Sequence, residues 1–415
     1  MGGSIGRIFC QRVTAVNENT ILCLASYEKG HDFLRESKRQ GANVVLLTSS
    51  GLQHKAQWPI ESVDEIFYMP DQDGQWNRQH TLNTVSYLAR SRTFSHIVAL
   101  DDFDVEMAAM LREHLRVPGM GESAARLFRD KLAMRMTARE ANIRVPAFVH
   151  VLNHDALREF MERVPPPWVL KPRSMAGAMG IKKIYDADEV WKIVSDLGDQ
   201  QSYYLLEQFV PGDVFHADTI VCNRQVVFAA ASGYGRPPME VSHEGGVFIT
   251  RILNPRSDVA GRLLEMNTRV LRALGMTQGV SHTEFIRGRD DDEVYFLETS
   301  ARVGGAHIAE LVEAATGVNL WKEWAKLELD GSAYRPPESR HDYAGLLVSL
   351  AKQQHPDTSG YNDSEVVWHM RRDYHVGLIV QSADEERVIQ LIASYASRIA
   401  NDFYAYLPPK DRPTA

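Results

Sequence analysis

The chain has 415 residues, 44% of them hydrophobic and 24% charged, with a formal net charge of −8. That length exceeds one ordinary core and predicts two or three domains of a globular protein. No apolar run reaches the ~18–20 residues of a membrane helix and no Lys/Arg cluster stands out, which excludes a membrane-spanning helix and disfavours nucleic acid as a partner.

The N-terminal MGGSIGRIFCQRV lacks the long apolar stretch and cleavage site of a secretion signal, so a cytoplasmic location is expected. MGGSIG resembles a myristoylation pattern, to which little weight is given. Cys10, Cys23 and Cys222 are scattered and odd in number, which suits a reducing compartment without disulfides or a zinc site. Thr20–Ser26, Asn43–Thr48, Glu65–Met69 and His96–Leu100 read as strands, with helical His31–Gln40 and Trp76–Ser91 between them. This alternation predicts a parallel, Rossmann-like sheet. Asp101 and Asp102 fall at the carboxyl end of a strand, where such folds place ligands. Capping of the next helix, by one of them or by Asp104, is the commoner job and the preferred reading. The segment SYEKGHDF after the first strand lacks the glycine fingerprint of dinucleotide binders, so NAD is not expected.

Glu122–Ala141 reads as one long helix carrying Asp130-Lys131. Pro146–Val151, Trp168–Lys171 and Tyr203–Glu207 are strand-like, and Pro165–Pro167 separates a helix from the second of them. In WVLKPRSMAGAMGIKKI (Trp168–Ile184) a strand delivers Lys171 and a small-residue loop follows. Small residues let backbone amides approach phosphate oxygens, and the lysine supplies a point charge. This is not a Walker A sequence, and an ordinary glycine turn is an equally good reading of it alone. In YLLEQFVPGDVFHADTIV (Tyr204–Val221) a strand end exposes Glu207 and the backbone of Gln208–Val210 before a turn at Gly212. Such a hinge suits an adenine edge with a carboxylate for ribose hydroxyls; alone, a hairpin with a solvated acid is the better reading. His216–Val221 and Gln225–Ala231 form a hairpin. Tyr234–Arg251 reads as a polar loop in which Arg236, Glu240, His243 or Arg251 could meet a substrate, or as plain surface. Asp258–Leu274 is an amphipathic helix.

The most informative stretch is VSHTEFIRGRDDDEVYFLETSARVGGAHIAELV, from Val280 to Val312. Val280–Ile286 and Val294–Thr299 alternate as paired strands around the polar turn Arg289–Asp292. In an antiparallel pair Glu284 and Glu298 fall on one face, and two carboxylates that close need a cation between them. Magnesium, a hard cation preferring oxygen ligands, is the natural occupant. Arg302 and the Gly304-Gly305 turn follow, opening the helix Ala306–Ala315; Leu320–Leu329 is another helix. After Pro336-Pro337 a smaller region contains a strand at Val376–Val380 and a helix at Glu385–Phe403.

Taken in order, these elements resemble the ATP-grasp family, over roughly Gly121–Gly331. The resemblance implies an α/β protein, α+β in its catalytic part. Its Rossmann-like domain would span 1–118, its ATP-grasp domain 119–334 with a lid at about 145–207, and a small C-terminal α/β subdomain 335–415. It implies ATP contacts from Lys131, Lys171, the loop of Ser174, Gly177 and Gly180, and the hinge of Glu207, Gln208, Phe209 and Val210. Asp213 lies near the family's ribose carboxylate, and Gly304 and Gly305 offer anion contacts. Glu284 and Glu298 are the implied magnesium ligands, for one or two ions or for manganese in their place. Ser300 stands where an asparagine is common, and Met175 and Met179 where small polar residues are usual. Arg302, His282 and Lys171 are the implied catalytic set, although a packing histidine is an equally good reading of His282.

The implied reaction passes the γ-phosphoryl group of ATP to a carboxylate, and an amine then displaces phosphate. The run from Arg302 to Ile308 resembles the amino-acid (dipeptide) ligase and carnosine-synthase-like branch, which implies small-molecule carboxylate and amine substrates. A bicarbonate-activating carboxylase and a nucleotide-binding regulator are the alternatives, and the C-terminal region would complete the pocket or a homodimer interface.

Overall fold

The computed structural model describes residues 19–72, 75–177 and 179–407. Cys10, the MGGSIG start and Ala178 of the glycine loop lie outside them. The N-terminal part runs β1 (Thr20–Ala25), α1 (His31–Arg39), β2 (Asn43–Ser49), β3 (Glu65–Met69), the short ribbon β4 (Asp71–Gln72) and β5 (Gln75–Trp76), α2 (Arg78–Leu88), β6 (His96–Ala99) and α3 (Val105–Leu115). Its main sheet is parallel in the order β3-β2-β1-β6. All six residues of β1 are buried, as expected of a strand covered on both faces. The order reverses between β1 and β6, which opens a crevice at their carboxyl ends.

The expected helix 122–141 is two helices, α4 (Glu122–Arg126) and α5 (Lys131–Glu140). Asp130 breaks it: its backbone is extended, and its carboxylate accepts from the N–H groups of Leu132 (3.0 Å) and Ala133 (3.4 Å). Arg173 clamps the same carboxylate through Nε at 3.0 Å. Lys131 therefore becomes the first residue of a helix instead of a point along one.

Next come β7 (Phe148–His150), α6 (His154–Arg163), β8 (Trp168–Pro172), β9 (Lys182–Ile184), α7 (Ala187–Leu197) and β10 (Tyr204–Gln208). They form an antiparallel sheet, β7-β10-β8-β9, around a core of Leu157, Phe160, Trp168, Leu170, Val190 and Leu206.

The largest sheet has eight strands. Its elements are β11 (Gly212–Cys222), β12 (Gln225–Tyr234), α8 (Pro238–Glu244), β13 (Phe248–Ile252), α9 (Asp258–Ala273), β14 (Gly279–Gly288) and β15 (Val294–Ser300). They continue through α10 (Ile308–Thr316), α11 (Leu320–Asp330), β16 (Tyr343–Leu350), β17 (Val366–His369), β18 (His375–Ser382) and α12 (Glu385–Asp402). The strand order is β15-β14-β11-β12-β13-β16-β18-β17, so the segment after Pro337 extends this sheet by three strands. The expected loop 234–251 is instead the end of β12, α8 and most of β13.

Side-chain alternation gives the sheet two unlike faces. Phe215, Ala217, Phe285 and Phe296 pack on Met134 of α5 and on Leu263 and Val270 of α9. Ile220, Val280 and Ile252 on the other face meet α10, α11 and, through Phe33 and Leu34, helix α1 of the N-terminal part. Among the described residues no helix is long and apolar enough to cross a membrane.

Candidate functional site

Glu284 and Glu298 are direct cross-strand partners on β14 and β15. The pairing depends on a β-bulge: Phe285 pairs with Phe296, whereas Glu284 pairs with Glu298, leaving Leu297 as the extra residue. In an unbroken register Glu284 would oppose Leu297, and Glu298 would point to the opposite face. A bulge of this kind re-aims a side chain. Tyr234 donates its hydroxyl to Glu284 Oε1 at 2.8 Å, and His282 Nε2 lies 3.7 Å from the same oxygen. Burial opposes ionisation of Glu284, but His282 and the Tyr234 hydroxyl outweigh it and hold the carboxyl below its usual range. Two facing carboxylates supply hard oxygen donors, which fits a divalent cation such as magnesium.

Two lysines flank the pair, one from helix α5 and one from strand β8. Lys131 reaches Glu298 Oε2 at 2.7 Å and donates to the Met175 carbonyl of the glycine loop at 2.5 Å. Lys171 on β8 is buried and pairs with Glu207 Oε1 at 2.5 Å. Burial lowers its pKa to about 8, with Glu207 and Glu298 opposing the shift and Arg135 adding to it. Gly177 and Gly180 take left-handed backbone (φ +67° and +69°), which only glycine adopts readily. Ser174 forms the base of this loop, and its carbonyl accepts from Arg129 Nη2 at 2.5 Å.

The N-terminal sheet delivers a third carboxylate. Asp101 does cap the turn after β6, accepting from the Phe103 N–H at 3.0 Å, and Asp104 takes the Ser26 N–H at 2.7 Å. Asp102 does neither. Its Oδ2 accepts from Arg129 Nη1, and Oδ1 faces Arg302 Nε at 4.0 Å. Burial opposes its charge, but Arg129, Arg302 and Lys131 outweigh that and hold the carboxyl low. Asp102 Oδ1 and Arg302 Nε are both buried and have no hydrogen-bond partner. Arg302 donates from Nη1 to the Val303 carbonyl at 2.8 Å.

Several expected residues sit differently. Glu207 is not an exposed hinge acid: it is buried and bonded to Lys171 and to Arg135 Nη2 at 3.0 Å, so it orders the lysine and is not free for ribose. In the adjoining hinge, the Gln208 and Phe209 N–H groups are already spent on the Ala147 and Pro167 carbonyls (2.8 and 3.1 Å). Among the described residues Val210 N–H has no backbone acceptor, so it is the donor the hinge still offers. Asp213 lies an odd number of residues from His216, and so on the opposite face of β11. It is largely exposed and pairs with Arg287 at 3.1 Å, away from the glutamate pair. Gly304 does not open the helix, since α10 starts at Ile308, and a Cβ on it would lie 2.8 Å from Asp218 Oδ1 and 3.0 Å from His282 Nδ1. The Gly305 carbonyl accepts from the Ile308 N–H at 3.1 Å. Arg251 pairs with Glu385 at 3.0 Å, and Arg236 lies 3.6 Å from Glu240, so neither is a free substrate cation.

Sequence reading missed Arg129, Arg135, His216, Asp218 and Tyr234. His216 and Asp218 alternate with apolar neighbours along β11, a visible signal of a polar stripe on a buried strand. Arg129 and Arg135 flank Lys131 with no pattern that singles them out.

No family model matches the chain. An L-arginine-specific L-amino acid ligase of Bacillus subtilis is 26% identical over 251 residues, which span 59% of this chain and 59% of that protein. The chain thus covers about six-tenths of that curated relative. The crystal structure of an L-amino acid ligase from Bacillus licheniformis superimposes with a TM-score of 0.75 at 17% identity, covering 94% of this chain and 100% of that one. The fold is that of the ATP-grasp enzymes. N5-carboxyaminoimidazole ribonucleotide synthetase from Thermus thermophilus shares it, with a TM-score of 0.70, 17% identity and coverage of 94% and 100%.

Proposed function

We propose that this protein is an ATP-dependent carboxylate–amine ligase that joins amino acids, releasing ADP and phosphate. The observation that carries the reading is the Glu284–Glu298 pair, bulge-aligned and met by Lys131 from helix α5. The likeness to the Bacillus subtilis L-arginine-specific ligase supports amino acids as the substrate class.

In this reading Glu284 and Glu298 would hold magnesium, with Ser300 beside them, and a bound ion would supply neutralisation of phosphate charge. Lys131 and Lys171 bind the remaining phosphate oxygens, and the Ser174–Gly180 loop covers them and excludes water. Val210 N–H offers the donor for an adenine edge. A carboxylate oxygen of the first substrate attacks the γ-phosphorus, the bond to the ADP oxygen breaks, and an acyl phosphate forms. The amine of the second substrate attacks the acyl carbon, phosphate leaves with the former carboxylate oxygen, and the amine loses a proton. Arg302 stabilises negative charge on the transferring group and on the tetrahedral oxyanion, with the Asp102 carboxylate facing its guanidinium.

The test is phosphate release from magnesium-ATP across a panel of single and paired amino acids, arginine included. Release that requires two amino acids, with a product lighter than their sum by one water, is the expected result. ATP binding without release for any pair would reject the ligase reading.

A further inference from the structure

Beside the glutamate pair lies a buried cluster that the proposed reaction does not use. His216 Nδ1 lies 2.7 Å from Asp218 Oδ2, and His282 Nδ1 lies 2.9 Å from Asp218 Oδ1. All three residues are buried, Asp218 and His216 completely. At its far end His216 Nε2 meets the Thr250 hydroxyl at 2.8 Å, on β13. At its near end His282 Nε2 faces Glu284 Oε1, which also accepts from Tyr234.

We propose, resting on the reading of Glu284 and Glu298 as the metal ligands, that Asp218 is a positioning residue for Glu284. It acts through His282, with Tyr234 as a second support on the same carboxylate.

Three observations carry this. First, an ionised carboxylate only accepts hydrogen bonds, so bonding to both Asp218 oxygens fixes a proton on Nδ1 of each imidazole. Burial favours a neutral Asp218, yet the two histidines outweigh it and hold its carboxyl far below the usual range. Second, with Nδ1 committed, His282 turns Nε2 towards Glu284, and its ring cannot rotate without breaking the bond to Asp218. Third, Gly304 closes the cluster from above, because a Cβ there would strike Asp218 Oδ1 and His282 Nδ1. The ligand atoms of His216, Asp218 and His282 lie within 4.8 Å of one another, a spacing that a metal cage also shows. However, both carboxylate oxygens are already spent on imidazole protons, so the cluster is read as a hydrogen-bonded support. Partners that orient a metal ligand typically contribute ten- to a hundredfold in metal affinity or activity.

The experiment titrates Mn²⁺ into the full-length protein with ADP and follows free Mn²⁺ by electron paramagnetic resonance. It compares the wild type, Asp218→Asn and Tyr234→Phe, and needs no knowledge of the amino-acid substrates. Asp218→Asn is expected to raise the Mn²⁺ dissociation constant about tenfold, with metal-free ADP affinity and thermal midpoint little changed. Tyr234→Phe is expected to weaken Mn²⁺ in the same sense by a smaller factor. It decides the matter by itself if Asp218→Asn does not fold. Unchanged Mn²⁺ affinity in the variants that fold overturns the inference and leaves the ligase reading standing. Wild-type protein that binds no Mn²⁺ with ADP overturns both. Stoichiometric metal bound without nucleotide and lost in Asp218→Asn also overturns it, in favour of a metal cage.

Discussion

Glu284 and Asp102 are the carboxylates, one half-buried and one buried, that the proposed reading assigns to one centre, and they arrive by different routes. Glu284 sits in the middle of a hairpin, with Glu298 across from it and Tyr234 and His282 on the same oxygen. Asp102 stands at the end of a strand in another sheet. It is held on one side by Arg129, and its other oxygen has no hydrogen-bond partner opposite Arg302. The hairpin is a finished local structure whose two carboxylates are placed by strand pairing. The strand end is incomplete by itself and gains its role when the N-terminal sheet packs against the large one. The difference separates what would bind from what would couple: in the proposed reading the hairpin supplies the cation ligands, while Asp102 faces Arg302 and, through Arg129, links the Ser174 carbonyl to the N-terminal crevice.

Substitutions can break or sharpen this contrast. The largest effect is expected for Glu298→Ala, which removes a proposed metal ligand and leaves Lys131 without its carboxylate. Magnesium-dependent phosphate release should fall by roughly 10³-fold or more, the scale of losing a principal electrostatic element; near-normal release would move the cation site elsewhere. Lys171→Ala comes next. It deletes a proposed phosphate contact and leaves Glu207 with Arg135 alone, so calorimetry should record ATP binding weaker by about 2–5 kcal/mol. Equal affinity in this variant would remove Lys171 from the nucleotide site.

Asp102→Asn keeps the shape of the strand end and removes the charge facing Arg302. The expected loss is about 10-fold in kcat with little change in the KM for ATP, the size typical of an orienting partner. An equal loss from both, or none, would erase the distinction drawn above. The smallest expected effect is in pH. Burial lowers the Lys171 ammonium to about 8, so it is charged below that pH and neutral above it. Nucleotide affinity should therefore decline as pH rises through about 8, by no more than about tenfold between pH 7 and pH 9. Lys171→Met should flatten that decline, and an unchanged slope would assign it to another group.

The same contrast explains how much the sequence disclosed. The strands and helices of the N-terminal part were legible because short apolar runs alternate with amphipathic ones. Glu284 and Glu298 were expected on one face, and they are, but through a bulge at Leu297 that regular alternation cannot foresee. Lys131, Lys171 and Glu298 carried motif-like surroundings. Glu207 did too, yet its partner Arg135 comes from α5, 72 residues earlier, and only folding reveals the pair. Asp102 looked like a cap because its neighbour Asp101 is one. The 234–251 segment is rich in glycine and proline, which hid α8 and the five-residue β13. Asp213 was placed by its distance along the chain, and strand alternation sends it to the other face.

The most direct test of the account follows an oxygen atom. If the carboxylate attacks the γ-phosphorus, ligation with an amino acid labelled in its carboxylate with ¹⁸O must leave one labelled oxygen in each phosphate released. Mass spectrometry of that phosphate should find the label in step with amide formed. Phosphate released at the same rate without label would mean that water, not a carboxylate, accepts the phosphoryl group, and would contradict the central claim.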